Sequence, residues 1–245
     1  DPAEAYSAAD FIADASREMA EISGRGKIPL LVGGTMLYFK ALLEGLAEMP
    51  AANAEIRDEI QRQADRDGWA AVHEQLRAVD PKTAAALHPN HFQRIQRALE
   101  VYRVSGVPMS TLREKNSRGG IGDSYAIKQI SLLPRNRSYI HNRIQQRFDE
   151  MMTQGFEQEV RALHERGDLN ENLPAIRSVG YRQLWRYLEG QHSLEEAVEK
   201  GVVATRQLAK RQITWLRNWP GSTEIEIDNG EGLLAADNIY QLSLK

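Results

Sequence analysis

The sequence predicts an α/β fold that is interrupted by an all-helical insertion. A short apolar run at 28–32 lies between two stretches of helical periodicity, as expected for a buried parallel strand. Residues 47–115 then show only helical patterns, and an alternating stretch at 126–133 returns to strand character. Helices that flank strands in this order are typical of a layered α/β domain.

The elements of the first half follow from their caps and glycines. Ser7 can cap a helix whose apolar residues recur at helical spacing, and Gly24 ends that helix. The run 28–32 leads into two glycines, after which a second helix begins at Thr35. We therefore predict the order helix, strand, glycine turn, helix for the first 45 residues.

Glycine and asparagine residues delimit the elements of the second half. The patterns predict helices from Asn136 or Ser138 to Gly155, and at 156–166, 178–189 and 194–219. The resulting domain prediction is an α/β core at 1–46 and 122–220, a helical insertion domain at 47–121 and a C-terminal tail at 221–245.

Composition excludes several classes of function. The 245 residues contain no cysteine, which excludes disulfides, thiolate zinc sites and cysteine nucleophiles. The six histidines lack metal-ligand spacing, so we predict no metal site within this chain. No apolar run reaches the ~20 residues that span a bilayer, and we predict a cytoplasmic protein with no membrane partner. The chain starts at Asp1 without Met or a signal peptide, which indicates a fragment.

The turn at 32–35 is the first candidate site. Two glycines let the backbone approach a ligand closely, and the following helix start offers unpaired N–H groups to an anion or a nucleotide. Thr35 can present its hydroxyl there. The alternative interpretation is a plain strand–helix turn in which Thr35 only caps the helix.

Basic stripes on three helices are further candidates. Arg206, Lys210 and Arg217 fall within roughly 40° of one another on a helical wheel. Arg143 and Arg147 are four residues apart and form a smaller patch. Arginine and glutamine also open the helix that starts near residue 93. Such faces suit phosphates and bases, but they also fit solvated helices whose cations pair with glutamates.

Four strings in one order resemble a single family. They are Leu30-Leu31-Val32-Gly33-Gly34-Thr35-Met36-Leu37-Tyr38, then His88-Pro89-Asn90 followed by Arg94 and Arg97-Ala98-Leu99-Glu100, then Arg177-Ser178-Val179-Gly180-Tyr181-Arg182-Gln183, and last the run from Thr205 to Arg217. Together they resemble the tRNA dimethylallyltransferases over nearly the whole chain, up to about Trp219.

The resemblance implies a reaction and a fold. Members of this family transfer a dimethylallyl group from dimethylallyl diphosphate to N6 of the adenosine 3′-adjacent to the anticodon in tRNA, with Mg²⁺ assisting the departure of diphosphate. The implied fold is a P-loop NTPase-like parallel-sheet core, here truncated at its N-terminus, with a helical insertion that holds the anticodon stem-loop. A cytoplasmic, nucleotide-binding monomer is expected.

The resemblance also implies residue roles. Thr35 and Arg147 are the expected catalytic residues, and Arg147 and Arg206 the expected diphosphate ligands. The expected tRNA contacts are Thr35, Arg57, Gln93, Arg94, Ile95, Gln96, Arg97, Arg177, Ser178, Val179, Gly180, Tyr181, Arg182, Lys210, Arg211, Gln212, Ile213, Thr214, Trp215, Leu216 and Arg217.

Two departures from the family pattern bear on activity. The phosphate-binding loop, the aspartate general base and the metal ligands are expected upstream of Asp1, and no Gly-x-x-x-x-Gly-Lys-Ser/Thr occurs in the chain. We therefore expect these 245 residues alone to be inactive. His91 also stands where the family has aspartate. The alternatives are a non-catalytic RNA-binding module and a P-loop nucleotide kinase relative.

Overall fold

The computed structural model describes residues 1–115, 120–229 and 234–243. This part of the chain is mostly helical and contains a small two-stranded parallel sheet. Its helices are α1 (Ala8–Gly24), α2 (Met36–Glu44), α3 (Ala54–Asp67), α4 (Trp69–Val79), α5 (Pro81–Ala86), α6 (Phe92–Ser105), α7 (Met109–Lys115), α8 (Arg137–Thr153), α9 (Phe156–Glu165), α10 (Tyr181–Leu188), α11 (Leu194–Arg217) and α12 (Ala236–Ser243). The strands are β1 (Ile130–Leu133) and β2 (Thr223–Glu226), and a 3-10 turn lies at Ile121–Asp123.

The chain divides into two compact units. The sheet-containing unit comprises Asp1–Asp10, Ile28–Met36 and Ala126–Lys245. The helical unit comprises Phe11–Lys27 and Leu37–Tyr125. Most of α1 and α2 therefore belongs with the helices that follow them. The predicted boundaries of the insertion domain, 47–121, stay a prediction.

The helical unit packs α3, α4 and α6 around one apolar core. Its buried members are Ile60, Ala64, Val72, Leu76, Ala84, Ile95, Ala98, Leu99, Val101 and Met109. Asn53 starts α3 by accepting the Ile56 N–H at 3.0 Å, and Gly106 ends α6 in the left-handed conformation. These are the terminal signals that the sequence carries.

Helix α8 packs against a glycine of α11. Gly201 lies within α11, and a Cβ added there would come within 2.5 Å of the Phe148 ring of α8. Both residues are buried. A glycine inside a helix costs about 1 kcal/mol relative to alanine, and the close approach of the two helices is the physical reason for its presence here.

We expect Gly201→Ala to destabilise the sheet-containing unit despite the better helix propensity of alanine. Overpacking of a core costs about 1–3 kcal/mol, which exceeds the gain of about 1 kcal/mol in propensity. Urea unfolding measures the difference. In a Phe148→Leu background the same substitution should cost less, because the smaller side chain leaves room. A gain in stability from Gly201→Ala alone would contradict the packing argument.

The sheet corrects the sequence prediction in two ways. The expected strand at 126–133 is confirmed only over its second half, Ile130–Leu133, which is β1. This strand pairs in parallel with β2 in the register Ile130↔Thr223 to Leu133↔Glu226. No strand forms at 28–32, where Ile28, Leu30 and Val32 are 92%, 84% and 84% exposed. A strand requires a hydrogen-bonded neighbour, and none of the described residues pairs with this run.

The second strand comes from the segment that was predicted to be only a tail. Ile225 of β2 is 4% exposed, and the Asp228 carboxylate accepts the Arg135 N–H at 2.8 Å just beyond β1. The α/β prediction therefore holds only coarsely, since helices dominate the described structure and the parallel sheet is small. Among the helices of the described residues, none is long and apolar enough to cross a membrane.

Candidate nucleic-acid interface

The glycine turn meets α11 within the sheet-containing unit. The side-chain amide of Gln212 donates a hydrogen bond from Nε2 to the carbonyl oxygen of Gly34 at 2.9 Å. A Cβ on Gly34 would lie 2.5 Å from the same Nε2 atom, so the absence of a side chain permits this contact. Thr35 follows directly and is exposed, immediately before α2. The structure thus joins two of the predicted tRNA-contact strings.

The face of α11 that carries Gln212 also carries Trp215, and Trp219 follows just after the end of the helix. Trp215 is 42% exposed, and its ring centroid lies 6.3 Å from that of Trp219. Trp219 is fixed by a hydrogen bond from its indole N–H to Gln129 Oε1 at 2.5 Å. An exposed indole on a basic helix provides a surface on which an unpaired RNA base can stack.

A groove of about 370 Å³ lies between α8 and α11. We call it the cation groove. Its lining residues are Arg137, Ile140, His141, Val203, Arg206, Gln207, Ala209, Lys210 and Ile213. It occupies the other side of α11, since Gln212 lies roughly 120–160° around the helix from Arg206 and Lys210. The structure therefore does not bring Thr35 and Arg206 to the same face of α11.

The two predicted diphosphate ligands occupy different positions. Arg206 is half-buried in the cation groove. Arg147 is exposed on α8 and does not line the groove, and neighbouring Arg143 is also exposed. Both roles stay predictions.

In the helical unit, two predicted tRNA contacts form ion pairs with one buried carboxylate. Glu100 is 0% exposed. Arg57 donates to it from Nε at 3.0 Å and from Nη2 at 3.2 Å, and Arg97 donates from Nη1 at 2.8 Å. The Asn53 N–H adds a further bond at 2.6 Å. Burial by itself raises the pKa of Glu100, but these donors outweigh burial and hold that pKa below its ordinary value.

The remaining predicted contacts at the start of α6 differ in exposure. Gln93 and Arg94 are exposed. Ile95 is 0% exposed and belongs to the helical core, so its side chain packs rather than facing solvent. The Gln96 side chain donates to the backbone carbonyl of Arg57 at 3.1 Å. This bond and the Glu100 ion pairs tie the start of α3 to α6.

The string at 177–182 forms a glycine turn that begins α10. Gly180 has φ +95°, and a Cβ there would also lie 3.0 Å from the Phe156 ring, so only glycine fits without strain. Its N–H donates to Gln183 Oε1 at 2.8 Å. The Tyr181 hydroxyl donates to Glu159 at 2.5 Å, and this bond raises the pKa of Tyr181 to about 12.

The other predicted contacts at 177–182 and on α11 also differ in exposure. Arg177, Ser178, Arg211, Thr214 and Arg217 are exposed, whereas Val179, Arg182, Ile213 and Leu216 are half-buried.

Comparison with known proteins settles the family. A family model described as IPP transferase matches residues 1–219 of the chain. The chain belongs to this family, the tRNA dimethylallyltransferases. The family resemblance inferred from the four strings is thereby confirmed.

Solved structures of family members support the same assignment. The chain is similar to the full-length tRNA isopentenylpyrophosphate transferase of Bacillus halodurans, with 32% identity and a TM-score of 0.62 over 100% of this chain and 76% of that one. It is also similar to the tRNA delta(2)-isopentenylpyrophosphate transferase of Staphylococcus epidermidis, with 29% identity and a TM-score of 0.55 over 92% and 72%.

A eukaryotic dimethylallyltransferase acting on tRNA shares the fold. The two chains are 24% identical, with a TM-score of 0.72 over 94% of this chain and 59% of that one.

Sequence reasoning missed three residues that lie beside predicted site residues within their own units. Arg137 and His141 line the cation groove with Arg206, and Glu100 organises Arg57 and Arg97. The spacing of Arg137, Ile140 and His141 carries a signal, since residues at i, i+3 and i+4 share a helical face. Nothing local to Glu100 indicates that it meets Asn53.

Proposed function

We propose that this protein transfers a dimethylallyl group from dimethylallyl diphosphate to N6 of the adenosine 3′-adjacent to the anticodon of tRNA. Membership of the IPP transferase family supports the reaction class. The single observation that carries the residue-level proposal is the hydrogen bond from Gln212 to Gly34. It joins the glycine turn to the basic helix, which are the two parts that an RNA substrate and its reacting base would require.

In this proposal the turn holds the target nucleotide. The Thr35 hydroxyl can accept or donate a hydrogen bond at the edge of the adenine, and Gln212 fixes the turn in position. Trp215 stacks on an unpaired base beside it. Exposed Lys210, Arg211 and Arg217 neutralise backbone phosphates, which supplies affinity without sequence specificity.

The diphosphate leaving group requires positive charge. Arg147 is proposed to stabilise it, because guanidinium groups match phosphate oxygens with paired N–H donors. Arg206 lies on the side of α11 away from Thr35, so its predicted contact with the leaving diphosphate stays a prediction. Mg²⁺ is a proposed cofactor that would neutralise the same charge. The described residues contain no cluster of three His, Asp or Glu that could hold a metal ion. Turnover is proposed to require a phosphate-binding loop as well, a motif that the 245 residues lack.

We expect Thr35→Ala to lower prenyl transfer at least about tenfold, because one hydrogen bond to a reacting group corresponds to about 1.4 kcal/mol or more. The assay follows labelled dimethylallyl diphosphate into an anticodon stem-loop, with a longer chain that begins with the phosphate-binding segment. Thr35→Ser, which keeps the hydroxyl, is the matched control. A stem-loop without the target adenosine should accept no label.

The outcomes separate the proposal from its main alternative. Transfer that needs the adenosine and falls with Thr35→Ala but not with Thr35→Ser supports the prenyltransferase. No transfer while RNA binding stays tight would favour a non-catalytic RNA-binding module.

A further inference from the structure

The cation groove contains a charged donor without a partner. The Nε atom of Arg206 is buried, and no described residue accepts a hydrogen bond from it. A buried guanidinium nitrogen that has lost water and gained no acceptor is unfavourable, and such groups in folded proteins usually have a role. A ligand that brings an acceptor into the groove would satisfy it.

Both helices present the same mixture of cations and apolar residues to the groove. On α11 these residues are Val203, Arg206, Lys210 and Ile213, which recur at the spacing of one helical face. On α8 they are Arg137, Ile140 and His141, again on one face. The cations of both helices therefore line one groove.

The charges in the groove are not balanced by acids. No Asp or Glu lines it, and none of Arg137, Arg206 and Lys210 forms an ion pair within the part of the chain that the structure describes. Elsewhere in the same unit, Arg161 pairs with Glu157 at 2.5 Å and Arg166 with Asp168 at 2.7 Å. The interpretation that these basic residues pair with glutamates therefore does not hold for the groove.

We propose that the cation groove is a binding site for a phosphate group, with Arg137, Arg206 and Lys210 as its ligands. The forked N–H groups of arginine match phosphate oxygens, and the lysine ammonium adds a point charge. The apolar walls lower the local dielectric constant, which strengthens each of these interactions. The site lies on the side of α11 away from Gly34, so it is separate from the turn that holds the target nucleotide.

The phosphate has two sources among the substrates of the proposed reaction, the RNA backbone and a diphosphate. The choice between these two ligands rests on the proposed function, whereas the binding of phosphate in the groove does not. Two binding measurements with the 245-residue chain distinguish the sources. Calorimetric titration with inorganic diphosphate tests the small ligand, and fluorescence anisotropy with a labelled anticodon stem-loop over a series of KCl concentrations tests the RNA.

We expect Arg206→Gln and Arg137→Gln each to weaken binding of one of these ligands about tenfold, as the loss of a charge-assisted hydrogen bond implies. Arg206→Lys should weaken it less, because the charge remains. For the RNA, log K falls linearly with log[KCl], and each glutamine variant should make this slope shallower by about 0.7–0.9. Arg161→Gln removes the same charge from the same unit, away from the groove, and is the matched control.

Thermal unfolding of each variant shows whether it folds. If Arg206→Gln unfolds, the proposal rests on the exposed Arg137→Gln. Loss of affinity for either ligand beyond that of Arg161→Gln supports the groove and names the source. Affinities equal to those of Arg161→Gln for both ligands overturn it. The prenyl-transfer assay with Thr35→Ala is independent of these measurements, so failure of the groove and failure of the proposed function give different results.

Discussion

Glu100→Ala should destabilise the helical unit by about 3 kcal/mol or more, since removing one partner of a buried ion pair leaves uncompensated charge and unsatisfied donors. The carboxylate is 0% exposed and accepts four hydrogen bonds, from Asn53 N, twice from Arg57 and once from Arg97. Removal of the Glu100 side chain beyond Cβ would also leave a cavity. The side chains of Arg57 and Arg97 are 45% and 31% exposed, so partial rehydration limits the loss.

The effect should be local to the helical unit. Hydrogen–deuterium exchange in the full chain would report faster exchange in α3 and α6, with the amides of α8 to α11 changed much less. Glu74→Ala is the matched control. It removes a glutamate whose side chain is 61% exposed and pairs with Arg77 at the surface, so its effect should stay within about 0.5 kcal/mol. Equal effects of the two substitutions would contradict the buried role of Glu100.

Asp80→Ala should also destabilise the helical unit by about 3 kcal/mol, here through the loss of a helix cap and its hydrogen bonds. Asp80 is 1% exposed. It caps α5 by accepting from Thr83 N at 3.0 Å and Thr83 Oγ1 at 2.7 Å. It also accepts from Ser110 N at 2.9 Å and Ser110 Oγ at 2.7 Å, which anchors the start of α7. Alanine would leave four donors without this acceptor.

The stability difference between the native chain and Asp80→Ala should depend on pH. Burial by itself raises the pKa of Asp80, but the four donors outweigh it and hold the pKa below its ordinary value. A carboxyl group whose pKa is lower in the folded than in the unfolded state stabilises the fold. Its contribution is fully present at pH values above the unfolded pKa, which is near 4. That contribution is lost as the pH falls through the folded pKa.

Urea unfolding at pH 7 and at a series of lower pH values measures this dependence. The free energy of unfolding of the native chain should be flat near neutral pH and should decline below about pH 4. The free energy of unfolding of the Asp80→Ala variant should decline less over the same pH range. Asp65→Ala, which removes an exposed aspartate of α3, should follow the native curve. A constant difference between Asp80→Ala and the native chain at all pH values would exclude ionisation as the source of the effect.

Local sequence signals predicted the helices well because their causes are local. Asn136 caps α8 through its side chain, Ser193 and Glu196 form the capping box of α11, and Gly106 ends α6. Each of these interactions joins residues a few positions apart, so it is legible in the sequence. The same holds for the four family strings, whose identification required only their order.

The sheet was predicted less well because strand pairing is a long-range property. The run 28–32 has the composition of a buried strand, yet Ile28 is 92% exposed and the run is unpaired within the described residues. The weakly patterned segment after residue 221 supplies β2, since β1 offers it a parallel neighbour. Apolar composition predicts the tendency to be buried, whereas a partner strand decides whether a ladder forms.

The order of residues along the chain was enough to identify the family, to locate most of the helices and to find the residue types predicted to contact an RNA and a diphosphate. It did not show which of those residues lie together. The fold brings Gln212 to Gly34 and Glu100 to Asn53, 178 and 47 positions apart, and it lines one groove with both Arg137 and Arg206. Hydrogen bonds and ion pairs require distances of about 3 Å, and packing sets such distances between residues that are far apart in the chain.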